Sequence, residues 1–169
     1  MKKQGFTLIE LMVVIVIMGI LAAVAVPKLF GMIAKSKASE VGPAAGEYVK
    51  LQDAYVSETG LYIGKWNAIG YTMSQSTASF AYSDKVTGTS LSAAIPTSAS
   101  AAWEAKANVG LNDCTANSTW TLWLAKDGNA NGLKWGAGIN KGAAGAGPKD
   151  ASVECTVLTP QFSKLASGL

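Results

Sequence analysis

The sequence predicts an α+β protein: a long N-terminal α-helix, membrane-spanning and then amphipathic, packed on a small antiparallel β-sheet domain. Three observations predict it. Residues 6–27 are almost wholly apolar, residues 28–60 carry apolar side chains at helical spacing, and residues 61–169 hold short aromatic and β-branched runs between turn signals. Hydrophobic residues make up 49% of the 169-residue chain and charged residues only 15%. The charged share falls well below the roughly 25% of an ordinary soluble domain.

The apolar segment FTLIELMVVIVIMGILAAVAV runs from Phe6 to Val26. At about 1.5 Å per residue it reaches roughly 30 Å, the thickness of a bilayer core. Glu10 is its one strongly polar side chain, and the short basic stretch MKKQG precedes it. The residues alone leave three readings open. A signal anchor would keep Lys2 and Lys3 in the cytoplasm, although Lys28, Lys35 and Lys37 flank the other end. A cleaved secretory signal would use Ala23-Val24-Ala25. Against that cut, the apolar run is long, Glu10 stands near its start, and Leu29, Phe30, Met32 and Ile33 continue the pattern beyond it.

The third reading rests on Gly5-Phe6-Thr7-Leu8-Ile9-Glu10. A short basic leader, Gly before the cut, Phe after it and Glu four residues on resemble the prepilin peptidase motif of the type IV pilin and pseudopilin family. Gly19 and Pro27 stand where type IV pilins commonly have helix breakers. The resemblance is dense over residues 1 to about 35 and fades to general architecture afterwards. It implies a leader at residues 1–5, cleavage between Gly5 and Phe6, and N-methylation of Phe6. The implied fold is the pilin fold, in a structural subunit of a type IV pilus-like filament. The alternative within the family is a major pseudopilin of a type II secretion system. The implied partners are further copies of the chain, joined through their N-terminal helices, the prepilin peptidase/methylase, an inner-membrane assembly platform and the membrane itself. The implied location is a single inner-membrane pass before assembly and an extracellular or periplasmic filament afterwards.

The chemistry of Glu10 fits that reading. A carboxylate within a membrane helix costs about 2.5–3.5 kcal/mol by insertion scales and marks a functional position by default. Cleavage after Gly5 creates a cation for it, the new α-amine of Phe6. Glu10 is then an assembly and registration residue, because a subunit without the paired amine bears the desolvation penalty. Methylation leaves the amine cationic.

Past Pro27, the stripe of Leu29, Phe30 and Ile33 is followed by Tyr48, Leu51 and Tyr55, with Val41, Val49 and Val56 nearby. The aromatics on this helix read as packing residues rather than an electron path. Pro27, Gly31 and Gly42-Pro43 are breakers, and a proline inside a helix costs about 3 kcal/mol. The stripe resumes after each of them, which predicts one bent helix ending at Gly60. The segment from Gly19 to Pro27 is expected to be helical in the isolated subunit and partly melted only in a polymer. The sites of helix interruption are thus Gly19, Pro27 and Pro43.

In residues 61–169 the expected strands are Phe80–Tyr82, Trp103–Val109, Thr119–Leu124, one starting at Leu133, and Val153–Leu158. They are expected to form about four antiparallel strands facing Tyr48, Leu51 and Tyr55. The stretches Thr87–Ala102 and Gly136–Pro148 read as surface loops. Cys114 and Cys155 are too far apart for a CxxC metal or redox motif. An oxidising compartment favours a disulfide between them, as the resemblance also implies, with two buried thiols as the other option.

Asp127, Asn129 and Asn131 match the first half of a calcium loop, but Gly138 stands where the bidentate Glu belongs. The resemblance to pseudopilins, whose β-region holds calcium, is what keeps this weak candidate in view. No metal and no cofactor are expected. The triplet Asn117-Ser118-Thr119 reads as a chance sequon. The chain lacks His and Arg, and its net charge is +3. That composition disfavours His-based catalysis and His metal sites, and no specific nucleic acid partner is expected. The acids after position 60 form no recognisable catalytic pair, so an enzyme is not expected.

Overall fold

The computed structural model describes residues 5–88, 90–128, 132–142, 147–148 and 152–169. They fall into two compact units, one ending at Ile33 and the other covering Ala34–Leu169.

Helix α1 (Leu8–Ala38) begins in the first unit and ends in the second. Val13, Val14, Ile15, Val16 and Ile17 would favour a strand in water, yet they are helical and exposed. A helix satisfies its backbone internally, which is what an apolar solvent demands of a single spanning segment. Every large apolar side chain from Phe6 to Ile33 is exposed. Gly19 and Pro27 both lie inside α1, and the helix is uninterrupted at either.

In the second unit the last turn of α1 buries Ala34 and Ala38. A turn at Ser39–Glu40 separates it from α2 (Val41–Thr59). The interruption therefore precedes Gly42-Pro43 instead of coinciding with it. Pro43 cannot donate to the carbonyl four residues back, at Ser39, and its ring crowds that carbonyl. Inside the first turn of α2 its missing N–H costs no helical bond. Gly60 ends α2 with φ 78° and donates its N–H to the Val56 carbonyl at 2.7 Å.

The buried face of α2 is Val41, Ala44, Ala45, Tyr48, Gln52 and Val56. Of the three residues expected to face the sheet, Tyr48 is fully buried, while Leu51 and Tyr55 are only half-buried. The face includes small residues and an amide, which an apolar-only stripe overlooks.

The sheet against this face has strands β2 (Phe80–Asp84), β4 (Ser100–Ala107), β5 (Thr119–Lys126) and β6 (Leu133–Asn140). They form an antiparallel sheet in the order β2-β4-β5-β6. In register, Phe80 lies opposite Ala107, and Trp120 lies between Ala105 and Ile139. The pairing shifts between Ala101 and Trp103, and the carbonyl of the intervening Ala102 accepts the Tyr48 hydroxyl at 3.2 Å. A second, two-stranded sheet pairs β1 (Tyr62–Gly64) with β3 (Ser92–Ala94), and helix α3 (Trp66–Ile69) follows β1.

Three expectations are corrected. Val153–Thr156 is a helical turn, α4, instead of a strand, and a 3-10 turn covers Phe162–Leu165. The Thr156 hydroxyl donates to the Ser152 carbonyl at 2.7 Å, closing the turn that a run of Val, Cys and Thr would otherwise extend. The expected loop Thr87–Ala102 contains β3 and the start of β4. The expected loop Gly136–Pro148 contributes its first five residues to β6. A Cβ on Gly136 would sit 2.5 Å from the Pro148 Cβ, so glycine there admits a close chain crossing.

Candidate functional site

The sequence points to the start of α1. Thr7 precedes the first helical residue, and Glu10 is the third residue of the helix. The Thr7 backbone N–H and hydroxyl each donate to Glu10 Oε2 at 2.7 Å, and the Glu10 N–H donates to Thr7 Oγ1 at 3.3 Å. This is a capping box, the reciprocal arrangement that satisfies otherwise orphaned N–H groups at a helix start. Its signal, Thr-x-x-Glu before an apolar run, is present in the sequence and adds Thr7 to the residues of the site.

Both bonds to the Glu10 carboxylate fall on Oε2, and among the described residues Oε1 accepts none. Glu10 lines an open hollow of about 380 Å³ with Phe6, Ile9, Val13 and Val14. Among the described residues, the arrangement leaves Oε1 without a hydrogen bond, in apolar surroundings. Phe6 is 87% exposed and Gly5 is exposed, so the bond between them is accessible.

The second unit carries a buried polar network between α2 and both sheets. Gln52 is fully buried; its amide donates to the Gly64 carbonyl and accepts the Gly64 N–H, both at 3.1 Å, and donates to the Tyr48 hydroxyl at 3.2 Å. The Tyr71 hydroxyl donates to the Ala44 carbonyl at 3.0 Å and accepts the Trp103 indole N–H at 3.2 Å. Burial pushes the Tyr71 hydroxyl up to about 12 and raises Tyr48 further. Asp53 accepts the Trp135 indole N–H at 3.0 Å, and burial raises its carboxyl above the usual value. Gln52 was missed because a lone amide at a helical position carries no signal of burial.

Cys114 and Cys155 form a disulfide with Cα atoms 5.0 Å apart. It ties the β4–β5 connection to α4. Nearby, Glu154 is held down to about 2 by hydrogen bonds from its own backbone N–H and from the Ser152 hydroxyl, with Lys141 3.3 Å away. Of the calcium candidates, Asp127 pairs with Lys134 at 3.4 Å, while Asn129 and Asn131 lie outside the described residues. Among the described residues, no group of three acidic, His or Cys side chains could hold a metal ion.

Residues 1–26 match the prokaryotic N-terminal methylation motif. Curated relatives include the type IV major pilin protein PilA of Myxococcus xanthus, 41% identical over 70 residues, 41% of this chain and 32% of that protein. The fimbrial protein EcpC of Eikenella corrodens is 45% identical over 60 residues, covering 36% of this chain and 39% of EcpC. The type II secretion system core protein G of Escherichia coli is 49% identical over 53 residues, or 31% of this chain and 34% of the relative. The chain thus spans between about a third and two-fifths of the length of these relatives.

Proposed function

On the premise that this chain carries the N-terminal segment of the type IV pilin family, we propose that it is a structural subunit of a type IV pilus-like filament. The observation that carries the reading is the exposed apolar run from Phe6 to Ile33 with a carboxylate near its start whose bonds to described residues all fall on one oxygen. A surface of this kind marks a contact with lipid or with another protein surface, and copies of the same helix supply such a surface. Prepilin peptidase cuts between Gly5 and Phe6 and methylates the new amine. The subunit waits in the inner membrane as a single-pass protein, and an assembly platform extracts it into the growing filament. Glu10 Oε1 then accepts the Phe6 ammonium of a neighbouring copy while Oε2 keeps the cap. Gly19 and Pro27 mark the stretch that melts on polymerisation.

A major pseudopilin is the second reading, favoured by the similarity to the secretion protein. The pairing of Cys114 with Cys155 and the engagement of Asp127 by Lys134 favour the pilus.

Glu10→Gln and Glu10→Ala, expressed with the assembly machinery, separate charge from capping. The Gln side chain retains an acceptor for Thr7 but carries no charge. Both variants are expected to be cut and methylated at Phe6, by intact mass, and to yield few filaments. Filaments of Glu10→Gln at the normal level would defeat the ion-pair account.

A further inference from the structure

The second unit holds a hollow of about 370 Å³ between the end of α1, the start of α2 and residues 158–162. Its apolar walls include Ala38, Pro43, Leu158, Pro160 and Phe162, and Lys35 and Gln161 line it as well. Lys35, Pro43, Pro160 and Gln161 are exposed, so the hollow is reached from outside. Small-molecule sites span roughly 300–1,000 Å³, and this one falls within that range.

The charge around it has one sign. From Leu11 to Ser39 the chain carries Lys28, Lys35 and Lys37 and no acidic residue. All three lysines are exposed, and none forms an ion pair among the described residues. Two polar groups of the lining are occupied: the Ser39 hydroxyl donates to the Ser36 carbonyl at 2.7 Å, and the Thr159 hydroxyl accepts the Trp120 indole N–H at 2.7 Å. The Gln161 amide makes no hydrogen bond among the described residues.

The position of Lys35 along α1 says which anion it meets. Val26 ends the run long enough to fill a bilayer core, and Lys35 follows roughly 13 Å further along the helix. Helical side chains lean toward the N-terminus, and a lysine near the end of a membrane helix extends its ammonium to the interface. We infer that the hollow seats one anionic phospholipid of the membrane that α1 enters. An acyl chain lies against the apolar walls, and the head-group phosphate accepts from the Lys35 ammonium and the Gln161 amide. A second copy of the chain could also cover the walls, but it would have to bring acidic groups to three uncompensated lysines. An anionic lipid carries that charge and the apolar chain in one molecule. The inference rests on the reading that α1 lies in a bilayer before assembly.

The test places the full chain, one copy per disc, in lipid nanodiscs. The probes are phosphatidylglycerol and phosphatidylcholine, each with a photoreactive diazirine on its acyl chain, and labelled peptides are mapped by mass spectrometry. Both lipids are expected to label residues 6–26, which checks the membrane reading by itself. Phosphatidylglycerol is expected to label residues 158–162 at least about fivefold more than phosphatidylcholine does, and Lys35→Gln to lower that label about fivefold, the worth of one lysine at an anionic surface. A Cβ on Gly42, which also lines the hollow, meets nothing within 4 Å, so Gly42→Phe should fill the space and remove the label without lowering the melting temperature. Label confined to residues 6–26 overturns the inference, leaves the membrane reading standing and gives the hollow to a second copy. Equal label from the two lipids, or unchanged label in both variants, overturns it too. No label on residues 6–26 would overturn the membrane reading with it.

Discussion

Ile17 and Ile139 carry the same side chain in two different settings. Ile17 projects from α1 and is 52% exposed, whereas Ile139 sits on β6 and is 1% exposed. The contrast extends to their whole units. From Phe6 to Ile33 the chain holds its large apolar groups outside, and from Ala34 onward it builds an enclosed core around Tyr48, Phe80, Trp103, Trp120 and Phe162. Burial within the chain stabilises the second unit. The apolar area of the first can be withdrawn from water only by something beyond the chain. Its helix needs no such help for its backbone hydrogen bonds, and it marks its start with the Thr7–Glu10 box.

Replacing one large apolar residue in each unit tests the contrast most severely. Trp120→Ala removes a buried ring that packs on Phe80 and donates to Thr159, and should cost about 3–5 kcal/mol in the unfolding of the second unit. Ile17→Ala should change the same unfolding free energy by no more than about 0.5 kcal/mol. Equal losses would show that α1 is stabilised from within the chain. Reduction of the Cys114–Cys155 disulfide, which closes a sequence separation of 41, should cost roughly 4 kcal/mol on the chain-entropy view. The loss should appear in the melting of the second unit and leave the helical signal of the first in place.

Gln52→Leu keeps bulk but leaves the Gly64 N–H and carbonyl without their partner. A loss of about 1–3 kcal/mol is expected in urea unfolding. An unchanged midpoint would mean that packing alone holds α2 to β1. The smallest effect concerns Glu154, which is exposed and ordinarily titrates at 4.5 but is held down to about 2. A depressed acid stabilises the fold when charged, so its contribution is present above pH 4.5 and fades as pH falls toward 2. Glu154→Gln should melt slightly below the parent at pH 6, with the gap closing by pH 2. A constant gap would assign the effect to packing.

Strong local patterns were legible in the sequence. The apolar run from Phe6 to Val26, the stop at Gly60 and the strands at Phe80–Tyr82 and Thr119–Leu124 reappear as elements. Weak or misleading patterns were not. Val153–Thr156 has β-branched character, yet it turns because Ser152 docks by its N–H on the Ile139 carbonyl at 2.8 Å and Cys155 is tied to Cys114. Gly136–Asn140 has loop composition, yet it pairs with Thr119–Trp123. At the candidate site, Glu10 and Phe6 stood out by type and place. Thr7 needed the three-residue spacing to be weighed, and Gln52 needed the fold.

By itself the sequence determined where the long helix runs and which end carries the unusual carboxylate. Hydrophobic content and spacing act locally, and one acid among apolar neighbours is conspicuous without a fold. Only the tertiary structure decided that Gln52 would clasp Gly64 and that the Gly- and Ala-rich stretch after Leu133 would become β6. Each of those outcomes depends on a partner or a backbone hydrogen bond. Small or polar residues leave such choices open until distant parts of the chain meet.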